Sequence, residues 1–224
     1  MINIILQSSI LNKLCQTKIK LYVMNITTPV NTVDEEVKWN KNKTIVSKTD
    51  TFGTILYAND VFSEASEYST LELIGEPHNI IRHPDMPKVA YKLLWEALKR
   101  EENFHAIVKN LTKSGKYYWV ITDFTIDRDE DGHISGYTAR RKSVPQSVVD
   151  KIEPLYKTLL DIEKTKGEKV SEMYFHAYLN EEIGKSYDEF VVDLFEEESK
   201  KEKKLLDKAK RIKGLQWFFF SDYE

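Results

Sequence analysis

Residues 76–87 read EPHNIIRHPDMP and are the most conformationally restricted part of this chain. The stretch contains three prolines, two histidines, one arginine and one aspartate. Each proline fixes its own φ and disfavours the α conformation in the residue before it. The stretch is therefore predicted not to form one regular helix. We expect a stiff connector that holds polar side chains at fixed angles, as the wall of a ligand pocket requires.

Around this stretch, short strands and helices are predicted from turn residues, helix caps and apolar spacing. The predicted elements are strands at 44–49, 54–58, 104–112, 117–127 and 133–141, a helix capped by Asn59, and an amphipathic helix at 88–100. The order is two strands, several short helices and a three-strand meander. This order predicts an α+β fold, in which one five-stranded antiparallel sheet carries helices on one face.

The ends of the chain have a different character. Residues 1–39 are interpreted as an N-terminal arm, with a short helix expected at 34–39 around Trp39. Residues 40–142 are the predicted sensor domain, and 143–224 are predicted to be a helical extension with apolar stripes at helical spacing. The apolar end of this extension, 214–224, is expected to dock onto a partner, a second copy or the body of the chain.

Composition excludes several classes of protein. The 224 residues carry a net charge of -3, so binding to nucleic acid through overall charge is not expected. One cysteine, Cys15, excludes an internal disulfide framework and a cysteine-based zinc cluster. No run of eighteen apolar residues occurs, so no membrane span is expected, and a cytoplasmic location is predicted.

The motifs resemble a known family. ANDVF at 58–62 and YSTLELIG at 68–75 are similar to the start of a PAS domain, and PHNIIRHPDMP at 77–87 resembles the PAS domain of aerotaxis and energy-taxis receptors. The shorter pieces 107–110, 118–120 and 134–137 fit the same family. The resemblance implies FAD bound without a covalent bond, a redox-sensing role and no catalysis.

The resemblance also assigns residues. Arg82, His83 and Asp85 align with the arginine, histidine and aspartate that the family needs to bind FAD. The positions that line the family's pocket are Asn59, His78, Trp95, Asn110 and Tyr118. Phe104 stands where the family has a tryptophan, which keeps a stacking ring but loses the indole N–H.

The usual receptor of this family carries a membrane span and a methyl-accepting signalling domain, and this chain is expected to carry neither. It resembles the soluble, CetB-like half of a split system. The resemblance therefore implies a separate membrane-anchored chemoreceptor as partner, and a homodimer is expected.

The side-chain chemistry supports a flavin independently. Phe104, Tyr118 and Trp119 offer aromatic walls, Asn59 and Asn110 offer amides, and no Gly-x-Gly-x-x-Gly fingerprint indicates a Rossmann mode.

Three alternatives stay open. Arg82 and Asp85 could form a salt bridge that only clamps the loop. His78 or His83 could be the axial ligand of a haem. The domain could also hold no cofactor and serve only protein association.

Overall fold

The computed structural model describes residues 31–220, without the side chains of residue 202 and of 209–220. Most of the predicted N-terminal arm, and the side chains of the predicted docking segment 214–224, lie outside the described part. Within it, the sheet has five strands: β1 (Ile45–Thr49), β2 (Ile55–Ala58), β3 (Phe104–Leu111), β4 (Tyr117–Arg128) and β5 (Ile134–Ser143). Their order is β2-β1-β5-β4-β3 and every pair is antiparallel, which confirms the predicted fold class.

Short helices between β2 and β3 cover the inner face of the sheet. They are α1 (Asp60–Ser66), α2 (Thr70–Leu73), a 3₁₀ turn (His78–Ile81) and α3 (Lys88–Lys99). The Asn59 side chain accepts from the Phe62 N–H at 3.0 Å and so caps α1, as predicted. Ser69 and Glu72 form a capping box at α2.

The stretch 76–87 is not one helix, as its prolines predicted. It pairs at Pro77 with Thr54, the residue before β2, turns through the 3₁₀ segment, and pairs with β3 where Arg82 faces Asn110. Pro87 then precedes the first residue of α3. The stretch therefore connects both edge strands of the sheet and closes the space between them.

The short helix expected at 34–39 was wrong. These residues are extended, and Glu36 pairs in parallel with Tyr117 at the start of β4. The Val37 N–H donates to the Tyr117 carbonyl at 2.8 Å, and Val37 and Trp39 are buried in the core. Pairing with the strand satisfies backbone groups that this polar segment could not satisfy alone, so it overrides the local preference.

The predicted helical extension is present as α4 (Gln146–Lys166), α5 (Glu168–Ala177), a π-helical turn (Tyr178–Ile183) and α6 (Tyr187–Phe220). It packs beside β3, and its buried residues join the same core as the sheet. Trp119 on β4 stacks on Tyr156 of α4, with ring centroids 6.2 Å apart. In the part of the chain that the structure describes, no helix combines the length and apolarity needed to cross a membrane.

Candidate functional site

A cavity of about 300 Å³ lies between the inner face of the sheet, the 3₁₀ turn and α3. Its apolar lining includes Ile81, Leu94, Leu98 and Val108, and its polar lining comes from β1, β3, β4, β5 and the 3₁₀ turn. This volume is at the lower end of the range for small-molecule pockets, about 300–1,000 Å³. The cavity can therefore enclose a compact ring system.

Three polar side chains from three elements meet at one wall of the cavity. The Arg141 guanidinium on β5 donates to the Ser47 hydroxyl at 3.0 Å and lies 2.8 Å from the His78 Nε2. Because a guanidinium only donates, Nε2 is the acceptor, and the proton of the neutral ring is on Nδ1. Burial, together with the nearby Arg141 charge, lowers the pKa of His78 to about 3. His78 is therefore neutral, and its orientation is fixed by Arg141.

Arg141 itself is a buried cation. It is 2% exposed, and burial lowers its pKa to about 10, which leaves it charged at neutral pH. Among the described residues no carboxylate forms an ion pair with it. A buried charge without a counter-ion is costly in a protein interior. A ligand with an electron-rich or anionic edge against this wall would therefore complement the Arg141 charge.

Arg82 lies at a second wall. Its guanidinium carbon is 4.1 Å from the centroid of the Tyr91 ring, a cation–π contact. Burial raises the pKa of Tyr91 to about 12, so the ring stays neutral. Arg82 forms no ion pair with a described residue, so the loop-clamping salt bridge to Asp85 is not present in this part of the chain.

Two buried polar atoms in the cavity lining have no hydrogen-bond partner among the described residues. They are the Asn110 Nδ2 on β3 and the Thr122 Oγ1 on β4. Buried polar groups are hydrogen-bonded in the great majority of cases, and unpaired ones call for an explanation. An amide donor, a hydroxyl and the Arg141 cation fit the donor–acceptor edge of an isoalloxazine ring, so the residues present suit a flavin.

The mouth of the cavity is aromatic. Phe52 is 90% exposed and Trp95 is 39% exposed, and both belong to the lining. Trp95 packs edge-on against Tyr137, with centroids 5.8 Å apart. Gly53 has a φ of +85° and lies against Trp95, so a side chain there would be strained and would approach the indole.

Four of the ten residues predicted for the site line the cavity: His78, Arg82, Trp95 and Asn110. Asn59 is near it but engaged elsewhere. Besides capping α1, its side chain accepts from the Val46 N–H and donates to the Thr44 carbonyl. Asn59 therefore fixes the junction of β1 and α1.

His83 and Asp85 do not belong to the cavity lining. The His83 Nδ1 accepts from the Asp85 N–H at 3.1 Å, and the Asp85 carboxylate lies 2.9 Å from the Lys109 ammonium. Burial, with the Lys109 charge, lowers the pKa of His83 to about 4. Burial would raise the pKa of Asp85, but the hydrogen bond and charge of Lys109 outweigh it and hold that pKa below its usual value.

The three predicted aromatic walls also lie outside the lining. Phe104 stacks on Tyr187 of α6 with centroids 5.8 Å apart, and Trp119 stacks on Tyr156. Tyr118 is fully buried, packs edge-on against Trp39 and has no described partner for its hydroxyl. Their predicted role as cofactor-binding residues stays a prediction.

Sequence reasoning missed Arg141, Ser47, Tyr91 and Thr122. The signal for Arg141 was present in the alternation along β5, where Arg140 and Lys142 are exposed and Arg141 is buried. Alternation separates the two faces of a strand. It does not say that the inner face opens into a cavity.

A five-stranded antiparallel sheet whose inner face and covering helices enclose a polar-lined cavity is the architecture of a PAS domain. The family model described as PAS fold matches residues 55–139. The matched residues thus form a PAS domain and are similar in sequence to an aerotaxis receptor, as the sequence motifs predicted.

The chain is similar to several proteins of known sequence or structure. The aerotaxis receptor of Escherichia coli (strain K12) is 43% identical over 116 residues, which are 52% of this chain and 23% of the receptor. The bacterioopsin transcriptional activator of Halobacterium salinarum is 27% identical over 103 residues, 46% of this chain and 15% of that protein. A solved light-oxygen-voltage domain, described with a flavin analogue, has a TM-score of 0.44 at 20% identity, covering 49% of this chain and 82% of that one. The chain thus spans less than a quarter of the two sequence relatives.

Proposed function

We propose that this protein is a cytoplasmic redox sensor of energy taxis, which binds FAD non-covalently in its PAS cavity and relays the redox state to a membrane-anchored chemoreceptor. The relation to the aerotaxis receptor supports the pathway, and the cavity chemistry supports a flavin. The observation that carries the proposal is the buried Arg141 cation, which lies beside unpaired polar groups in a cavity sized for a ring system.

A bound flavin would supply reversible electron uptake. Arg141 supplies fixed positive charge in a site shielded from water, where charge interactions are stronger than in solution. His78 holds the guanidinium in place, and the Asn110 amide can donate a hydrogen bond to an acceptor in the cavity. Negative charge that appears in the cavity would therefore pull on Arg141 and on strand β3, which carries Asn110.

The other predicted residues are proposed to act in support. His83 and Asp85 hold the loop that carries Arg82, and Asn59 fixes the β1–α1 junction beside His78. Trp95 is proposed to shield the cavity mouth. Phe104, Tyr118 and Trp119 are proposed to keep the sheet in register behind the ligand.

A membrane-anchored chemoreceptor and a second copy of the chain are proposed as assembly partners because the PAS domain is similar in sequence to an aerotaxis receptor. A pull-down of a chemoreceptor cytoplasmic domain by the full chain, compared between oxidised and reduced protein, tests the first. Equal capture in both states would contradict redox-dependent relay.

Haem is a weaker candidate for this cavity. The His78 Nε2 already accepts from Arg141, and a cation beside an axial imidazole opposes binding of a ferric ion. His83 lies outside the lining, with its Nδ1 engaged by the Asp85 N–H. Ligation of a haem iron by the His78 Nε2 would therefore require breaking its contact with Arg141.

The absorbance spectrum of the natively purified full chain tests the proposal. We expect flavin absorbance bands that correspond to about one flavin per protein chain. Denaturation should release the flavin, and chromatography of the supernatant should identify it as FAD. A Soret band would indicate haem instead. A colourless protein that releases nothing and takes up no added FAD would refute the sensing function and favour a domain that serves only protein association.

A further inference from the structure

The free edge of strand β3 is covered by side chains from the C-terminal helices. The Ile107 N–H donates to the Tyr187 hydroxyl at 3.3 Å, and the Ile107 carbonyl accepts from the Tyr156 hydroxyl at 2.7 Å. The two hydroxyls also contact each other. An edge strand exposes unpaired N–H and carbonyl groups, so these contacts replace the strand that is missing on this side.

The proton positions follow from counting donors. Because a carbonyl oxygen only accepts, the single hydroxyl proton of Tyr156 is donated to the Ile107 carbonyl. Tyr187 must then donate to the Tyr156 oxygen, while its own oxygen accepts from the Ile107 N–H. The three residues form a closed circuit of hydrogen bonds, here called the Ile107 ring. In such a circuit each bond polarises the next.

The Ile107 ring is fully enclosed. Ile107, Tyr156 and Tyr187 are 0%, 1% and 2% exposed. Burial raises the pKa of Tyr187 to about 12, and burial also raises the pKa of Tyr156 well above its usual value. Both hydroxyls therefore keep their protons, and no water competes for the circuit.

The ring adjoins the cavity through the strand itself. Ile107 directly precedes Val108, which lines the cavity, and Asn110 with its unpaired amide lies two positions beyond. Two flanking contacts tie the same edge: the His105 N–H donates to Asp188 of α6 at 2.6 Å, and Lys109 lies 3.8 Å from Glu153 of α4. A shift of β3 toward a ligand thus acts on both helices.

We propose that the Ile107 ring is the device that holds α4 and α6 against β3 and releases them when the cavity ligand moves the strand. The Ile107–Tyr187 bond is the weak member, since 3.3 Å exceeds the common N–H···O distance of about 2.9–3.0 Å. A small shift of the strand lengthens it further and opens the circuit. The coupling to a ligand rests on the proposed flavin function, whereas the docking of the helices does not.

Hydrogen exchange on the full chain tests this inference. The variants are Tyr156→Phe and Tyr187→Phe, with Tyr174→Phe on α5 as control because Tyr174 is exposed and outside the ring. In wild type, reduction by dithionite should raise exchange in α6 at 187–195. In both variants that exchange should already be raised by about tenfold or more before reduction, and reduction should add nothing.

The outcomes separate the two proposals. Equal exchange in wild type and variants would overturn the inference, and so would an equal response to dithionite in all of them when the wild type contains flavin. Flavin content is read from absorbance in the same samples. If wild type proves colourless, the proposed function fails by itself, and raised α6 exchange in the ligand-free variants still supports the ring while unchanged exchange overturns it. The two variants remove different hydroxyls, so one folded variant is sufficient.

Discussion

The cavity side of strand β3 and its free edge differ in how completely their polar groups are paired. At the cavity, the Asn110 amide has no hydrogen-bond partner among the described residues, and Arg141, which lines the same cavity from β5, has no counter-ion among them. At the edge, Ile107 satisfies both backbone groups through two tyrosine hydroxyls. Paired networks stabilise a structure, whereas an unpaired buried group calls for an explanation, such as an ordered water or a ligand. Strand β3 therefore separates a cavity side, where polar groups lack described partners, from an edge covered by the C-terminal helices, here called the holding side.

Removing the Arg141 cation on the cavity side should have the largest effect, because it removes the charge proposed to bind the ligand. Arg141→Leu is expected to lower flavin content at least about tenfold, because a hydrogen bond to a charged group contributes about 1.5–3 kcal/mol. Stability of the ligand-free protein should stay within about 1 kcal/mol of wild type or rise, since an uncompensated buried charge is removed. Absorbance and chemical denaturation measure the two quantities.

The neighbouring Arg140→Leu is the matched control, because Arg140 is on the same strand but exposed. It should retain flavin. Full flavin content in Arg141→Leu would refute the assignment of Arg141 to the ligand.

Opening the holding side should have an intermediate effect. Tyr156→Phe and Tyr187→Phe each remove one hydroxyl but keep the stacking on Trp119 and Phe104. Each should lower the free energy of unfolding by about 1–3 kcal/mol, because each opens the ring and leaves a buried backbone group of Ile107 unpaired. The double variant should cost less than the sum, as expected for residues in one network. Additive losses in urea denaturation would show two independent bonds instead of a ring.

Replacing His83, in the connecting stretch 76–87, should have the smallest effect, which is a change in how stability depends on pH. The pKa of His83 is lowered to about 4 in the folded protein, against about 6.5 in an unfolded chain. The unfolded state therefore binds the proton first, and the contribution of His83 to stability is present above about pH 6.5 and is lost as the pH falls toward about 4. His83→Asn keeps an acceptor for the Asp85 N–H and cannot titrate.

The stability of the His83→Asn variant, measured by thermal unfolding, should therefore change less between pH 6.5 and 4 than the stability of wild type. His133→Asn is a suitable control, because His133 is exposed in the turn before β5. Parallel curves for wild type and His83→Asn would mean that His83 does not carry this dependence.

Much of the fold was accessible from local patterns. Asn59 was predicted as a helix cap, and the prolines of 76–87 excluded a continuous helix, because both act through their own backbone. The segment 34–39 was mispredicted because its conformation depends on Tyr117, about eighty positions away. The candidate site was accessible in part: the motif supplied His78 and Arg82, but no local pattern supplied their partners.

The amino-acid sequence alone determined the fold class, the connector between the edge strands and the helical nature of the C-terminal extension. These follow from proline geometry, caps and apolar periodicity, which act over a few residues. Only the tertiary structure decided which polar groups face the cavity. Arg141 meets His78 across 63 positions, and Tyr187 meets Ile107 across 80. Burial and hydrogen-bond geometry at that range depend on how the whole sheet and its helices pack, and no short stretch of sequence records them.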